Sequence, residues 1–115
     1  MHLASWVNLT RIFLLLVLVL KVVAIGKRGK NISEAEALSH VWGYGVGVDL
    51  TRRDIQAEAK KGGRPWDMAK GFDYSAPMSK LVPSERVKDP LNGEIGIKVN
   101  GKTVQCGDLN LYTWR

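Results

Sequence analysis

An apolar run, IFLLLVLVLKVVAI at residues 12–25, limits the structures open to this chain. Eight apolar residues stand in a row from Phe13 to Leu20 before Lys21 interrupts. A helix that crosses a bilayer needs roughly 20 apolar residues. Even with Lys21 tolerated, the stretch reaches only 14. A stable transmembrane span is therefore not expected, and neither is a membrane partner. Two other readings stay open. Arg11 followed by residues 12–20 resembles the basic and apolar regions of a signal peptide, although Lys21 sits where a cleavage site would gather small residues. A continuous Val-rich run also suits a strand covered on both faces. Residues 1–20 contain no acidic residue and differ sharply from the remainder of the chain. They read as an atypical apolar leader ahead of a domain at residues 21–115.

Composition narrows the partners. A chain of 115 residues allows one domain. It carries 17 Lys+Arg against 11 Asp+Glu, a net charge of +6. Such an excess can suit a nucleic acid or an anionic membrane. Here the charges are scattered, no aromatic residues interleave with a basic run, and the longest basic feature is GKRGKN at 26–31. A solvated basic surface is the commoner cause, so no nucleic-acid partner is expected. The single Cys106 excludes an intramolecular disulfide and a cysteine-rich zinc site. It fits a reducing compartment, and a cytoplasmic location is the expectation.

After Gly26 the punctuation becomes regular. SEAEALSHVW has Ser33 and Glu36 at capping-box spacing, which predicts a short helix over 34–41. GYGVGVDL resists helix through its glycines, and residues 46–50 read as a buried strand. Thr51 and Asp54 repeat the capping spacing ahead of a helix, RRDIQAEAKK, that stops at Gly62 and Gly63. Residues 64–83 are rich in Pro and turn formers and read as a long loop, which in a small domain is usually functional. EIGIKVNGKTVQCG alternates around Asn100-Gly101 and predicts a hairpin with a type I′ turn. The whole is a small chain of mixed α and β structure.

Few residues stand out for chemistry. Asp49 closes the predicted buried strand. With Thr51 and Asp54 sufficient for capping, it is freer for function. Arg53 and Gln56 lie three apart on the next helix, share a face, and could point towards Asp49; a solvated helix face is the blander reading. Lys70 sits in the Gly/Pro-rich loop, where a lysine is usually just exposed. His40 falls late in a predicted helix, and Cys106 in a strand is more often a packing residue than a nucleophile. There is no P-loop, no Gly-x-Ser-x-Gly elbow and no His-x-x-x-His pair.

HVWGYGVGVDLTRRDIQ and GRPWDMAKGFDYSAPMS, with the VNGKTVQ hairpin in the same order, resemble the fumarylacetoacetate hydrolase family. The likeness is greatest to its fumarylpyruvate and acylpyruvate hydrolase branch and runs from about Lys21 to Trp114. It implies an α+β, β-rich fold, part of the mixed β-roll of the family's C-terminal domain with short helices, and a homodimer. It implies cleavage of a carbon–carbon bond in small-molecule diketo acids with Mg²⁺ or Mn²⁺. The implied metal ligand is Asp49, with Gln56 and Lys70 as catalytic residues and Arg53, Gln56 and Lys70 at the substrate. The family's other two ligands are an E-x-E pair on the strand that ends in VVAIGK-like sequence. Counting back from Val22, those positions fall on Leu18 and Leu20. Cleavage is then expected to be impaired, with Asp49 left as an isolated carboxylate. The lid that usually supplies the general base and the later T-G-T-P-x-G loop have no counterpart in these 115 residues, and Val48 replaces a frequent Asn. The expectation is a truncated or frameshifted copy. A non-catalytic interaction protein, or one associated with a membrane through its leader, is the rival.

Overall fold

The computed structural model describes residues 15–111, with side chains from Leu18 onward. Most of the expected leader, residues 1–14, lies outside the described residues, as do residues 112–115 at the end of the chain. The described part of the apolar run forms a strand, β1 (Leu15–Ile25), which passes residue 20 without a break. It pairs antiparallel with β2 (Val41–Arg52) along its length. Leu18 stands opposite Asp49 and Leu20 opposite Gly47, with a register shift at Ala24/Ile25.

The connection between them is shorter in helix than expected. One turn, α1 (Glu34–Ala37), passes into a 3₁₀ turn at Leu38–His40. Ser33 is the N-cap residue, but its hydroxyl donates to the Glu36 carboxylate at 2.8 Å rather than capping a backbone amide. The Gly26 amide donates to the His40 carbonyl at 2.7 Å, closing the ends of the connection. Val41 therefore opens a strand instead of ending a helix.

β2 extends well beyond the expected 46–50. Its glycines weaken strand propensity in isolation, yet the neighbouring chain requires at least one of them. A Cβ on Gly43 would sit 2.3 Å from the Val82 carbonyl oxygen, on β3 (Val82–Pro83). The residues before β3 also line this edge: the Leu50 and Val48 amides donate to the carbonyls of Ser75 and Pro77 at 2.9 and 3.0 Å, and the Ser79 amide to Val46 at 2.9 Å. The expected loop over 64–83 is thus a loop only in part. Pro77 and Pro83 are tolerated because the segment is an edge, where a missing N–H costs no ladder bond.

α2 (Arg53–Lys61) follows β2 directly and stops at Gly62, close to the expected bounds. Its N-cap is Arg52, with no side-chain cap bond. Thr51 is still in β2, paired with Leu16, so the Thr51–Asp54 capping box does not form. A single turn, α3 (Asp67–Lys70), comes next. Then β4 (Glu94–Val99) and β5 (Lys102–Asp108) make the expected hairpin. Asn100 and Gly101 have φ of 50° and 81°, the pair of positive values that a type I′ turn needs.

The hairpin is tied to β1 by a side chain: the Val19 amide donates to the Gln105 Oε1 at 3.0 Å. Lys21 Nζ also donates to the Pro90 carbonyl at 3.0 Å. Val19, Tyr44, Leu50 and Ala69 are the buried apolar residues among those described. No described helix is long and apolar enough to cross a membrane. The architecture is α+β, strand-rich with short helices.

Candidate functional site

Successive strand residues face opposite sides, so Gly47, Asp49 and Thr51 share one face of β2. Leu18 and Leu20 share the adjoining face of β1, since directly paired residues point the same way. α2 begins one residue after β2 ends, which keeps its first turns beside that face. Arg53, Gln56 and Lys60 lie three and four apart and fall on one side of the helix.

Three polar contacts order this corner. Lys70 Nζ lies 2.5 Å from Asp49 Oδ2, with the two side chains 30% and 34% exposed. Arg53 Nη1 donates to Gln56 Oε1, also at 2.5 Å, and Gln56 is buried. A cleft of about 380 Å³ opens among Leu18, Thr51, Arg53, Gln56, Lys60 and Lys70. The structure therefore brings together all four residues singled out from the sequence. Arg53, Gln56 and Lys70 line the cleft, and Asp49 is joined to it through Lys70. Lys70 is not a free loop lysine but the last residue of α3, aimed at a carboxylate 21 residues away. Asp49, expected to stand isolated, is paired.

Two further residues were not legible as site residues. Thr51, read as a helix cap, is fully buried, and its hydroxyl has no hydrogen-bond partner. The D-x-T spacing carried the signal, because residues two apart on a strand share a face. Lys60 lines the same cleft and needed the face periodicity of α2 to be seen. His40 Nδ1 lies 3.2 Å from the Lys27 carbonyl oxygen, away from the cleft lining. Cys106 lies in the hairpin, where desolvation and then the adjacent Glu94 carboxylate push its thiol up.

A divalent ion held by three carboxylates does not fit these residues. Mg²⁺ and Mn²⁺ take hard oxygen ligands. The residue directly opposite Asp49 is Leu18, the next position on that face is Leu20, and the Asp49 carboxylate already meets an ammonium. Among the described residues no group of three His, Cys, Asp or Glu side chains could hold a metal.

Residues 21–115 match a family described as fumarylacetoacetate (FAA) hydrolase C-terminal. The crystal structure of fumarylpyruvate hydrolase from Pseudomonas aeruginosa, in complex with Mn²⁺ and pyruvate, superposes with a TM-score of 0.76 at 40% identity, over 88% of this chain and 43% of that one. A Burkholderia cenocepacia structure assigned to a fumarylpyruvate hydrolase gives 0.76 at 57% identity, covering 90% of this chain and 46% of the other. Among curated proteins, the mitochondrial oxaloacetate tautomerase of Bos taurus is 46% identical over 88 residues, which is 76% of this chain and 40% of that protein. The chain spans about two fifths of the length of the curated relatives it matches.

Proposed function

The chain belongs to the fumarylacetoacetate hydrolase family, and from that membership we propose that it derives from a metal-dependent hydrolase of acylpyruvate or fumarylpyruvate-type diketo acids, with cleavage impaired in this sequence. In this reading Asp49 is the remaining carboxylate of the metal site. Gln56 and Lys70 are its catalytic residues, and Arg53 helps hold the substrate. A cytoplasmic location and a homodimer belong to the same reading. The observation that carries it is the register of β1 on β2, which sets Leu18 directly beside Asp49 where an anionic oxygen would be needed. A lone carboxylate does little to dehydrate Mg²⁺. The second reading, a non-catalytic interaction protein, draws on the exposed Leu20, Val23 and Ile25 of β1.

Mn²⁺ titration by calorimetry tests the first reading. The chain as written should bind very weakly. Leu18→Glu with Leu20→Glu should bind clearly, and adding Asp49→Ala to that pair should abolish the gain. Tight Mn²⁺ binding by the unaltered chain that survives Asp49→Ala would overturn the register argument.

A further inference from the structure

The connection from β1 to β2 carries the longest basic feature of the chain, and the site described above does not use it. Lys27, Arg28 and Lys30 are all exposed within the six residues GKRGKN. None of them forms a salt bridge among the described residues. Two glycines draw apolar side chains into this loop. A Cβ on Gly26 would sit 2.9 Å from the Trp42 Cβ, so its absence lets Trp42 stand at the base of the loop. A Cβ on Gly29 would overlap the Ile32 side chain and come within 2.9 Å of the His40 ring, so Ile32 lies across the turn. Hydrogen bonds brace the loop as well. The Gly26 and Lys27 amides both donate to the His40 carbonyl, at 2.7 and 3.3 Å. Ile25 is 70% exposed, Trp42 49% and Ile32 39%. Three cations and three apolar side chains thus share one end of the sheet.

We propose that this loop is a peripheral docking surface for an anionic lipid bilayer. Its cations attract acidic headgroups, tryptophan favours the membrane–water interface, and aliphatic side chains enter the acyl boundary. The aliphatic part decides among polyanions. Exposed Ile25 and Ile32 gain nothing from the phosphates of a nucleic acid, but they gain from leaving water for hydrocarbon. The apolar run at 12–25 is too short for a span, and that limit does not bear on a contact made at the headgroups. Glu34 and Glu36 on α1 oppose the attraction, although Glu36 accepts from the Ser33 hydroxyl at 2.8 Å. The contact is therefore reversible and sensitive to salt. The proposal stands apart from the metal reading, because none of these residues lines the cleft.

The test is density-gradient flotation of the full chain with vesicles of phosphatidylcholine and phosphatidylserine, and with vesicles of phosphatidylcholine alone. Bound protein floats while aggregates sediment, and circular dichroism establishes that each variant is folded. The chain should float with the mixed vesicles only and should be released by added salt. Lys27→Gln with Arg28→Gln should weaken binding about twentyfold, near fivefold for each cation. Lys98→Gln with Lys102→Gln removes the same charge from exposed positions on the β4–β5 hairpin and should weaken it at most about twofold. Ile25→Ser, at the exposed end of β1, should weaken it about tenfold. No flotation with the mixed vesicles would overturn the proposal. So would flotation that the loop pair retains, which would place the contact elsewhere in the chain. Equal weakening by both pairs would do the same, since diffuse charge would then suffice. An Ile25→Ser variant that binds as well as the original chain would also sink it, because the surface would then respond to charge alone, as a nucleic-acid surface does.

Discussion

Asp49 and Lys70 show what a single pair can and cannot do. Their ion pair is about one-third exposed, so water screens it, and it contributes at most ~1 kcal/mol to stability. Its weight is positional: the ammonium occupies the carboxylate that would otherwise be free for a cation. Cys106 makes a contrasting case at the same scale. Desolvation and Glu94 raise its thiol, so the thiolate forms only at higher pH than in an unhindered cysteine. Alkylation by iodoacetamide at pH 8 should therefore be slower than that of a free cysteine and should accelerate as pH climbs through the raised value. Labelling at pH 8 as fast as in the urea-unfolded chain would contradict this. Asp49, Arg53 and Gln56 were legible from the sequence because each sits in one motif with short, local spacing. The Lys70–Asp49 pairing was not, since it joins residues 21 apart through the one-turn α3. Thr51 was misread because its S/T-x-x-D spacing mimics a cap, while the antiparallel pairing with Leu16 holds it in the strand.

The elements differ in how far local chemistry dictates them. The β4–β5 hairpin was readable in advance because Asn100-Gly101 asks for positive φ at two neighbouring positions, and few other turns satisfy that. β2 was readable only in part. Its glycines look like interruptions until the close approach of β3 is known, and that contact comes from a segment 39 residues further along, Val82 against Gly43. The two kinds of glycine should respond differently to the same change. Gly43→Ala must push β3 away or distort β2, and overpacking of this sort costs typically 1–3 kcal/mol. Gly107→Ala, in β5, meets nothing within 4 Å and should be neutral or stabilise by up to ~1 kcal/mol, through a less flexible unfolded chain. Urea denaturation of the two variants checks this, and equal effects would show that β3 does not pack on Gly43.

The molecule as a whole is loosely drawn together. Its radius of gyration is 16.5 Å, against about 13 Å expected for a compact domain of this length. Large apolar side chains remain at the surface, among them Leu20, Ile25, Trp42, Trp66, Met68 and Met78. Self-association is the expected behaviour, and light scattering should show it rising with salt as the net charge of +6 is screened. Among the described strands, the order β1-β2-β3 leaves β1 as an outer strand of eleven residues. One amide of that strand is answered by Gln105, a side chain reaching across from another hairpin. The glutamine works as a chaperone built into its own client: it occupies a rung that a second chain would use to begin a filament. Gln105→Ala should shorten the lag before thioflavin-positive fibres appear while barely changing the far-ultraviolet spectrum of the freshly prepared protein. An unchanged lag would mean that filament growth does not begin at Val19, and that this edge is guarded by something other than one borrowed amide oxygen.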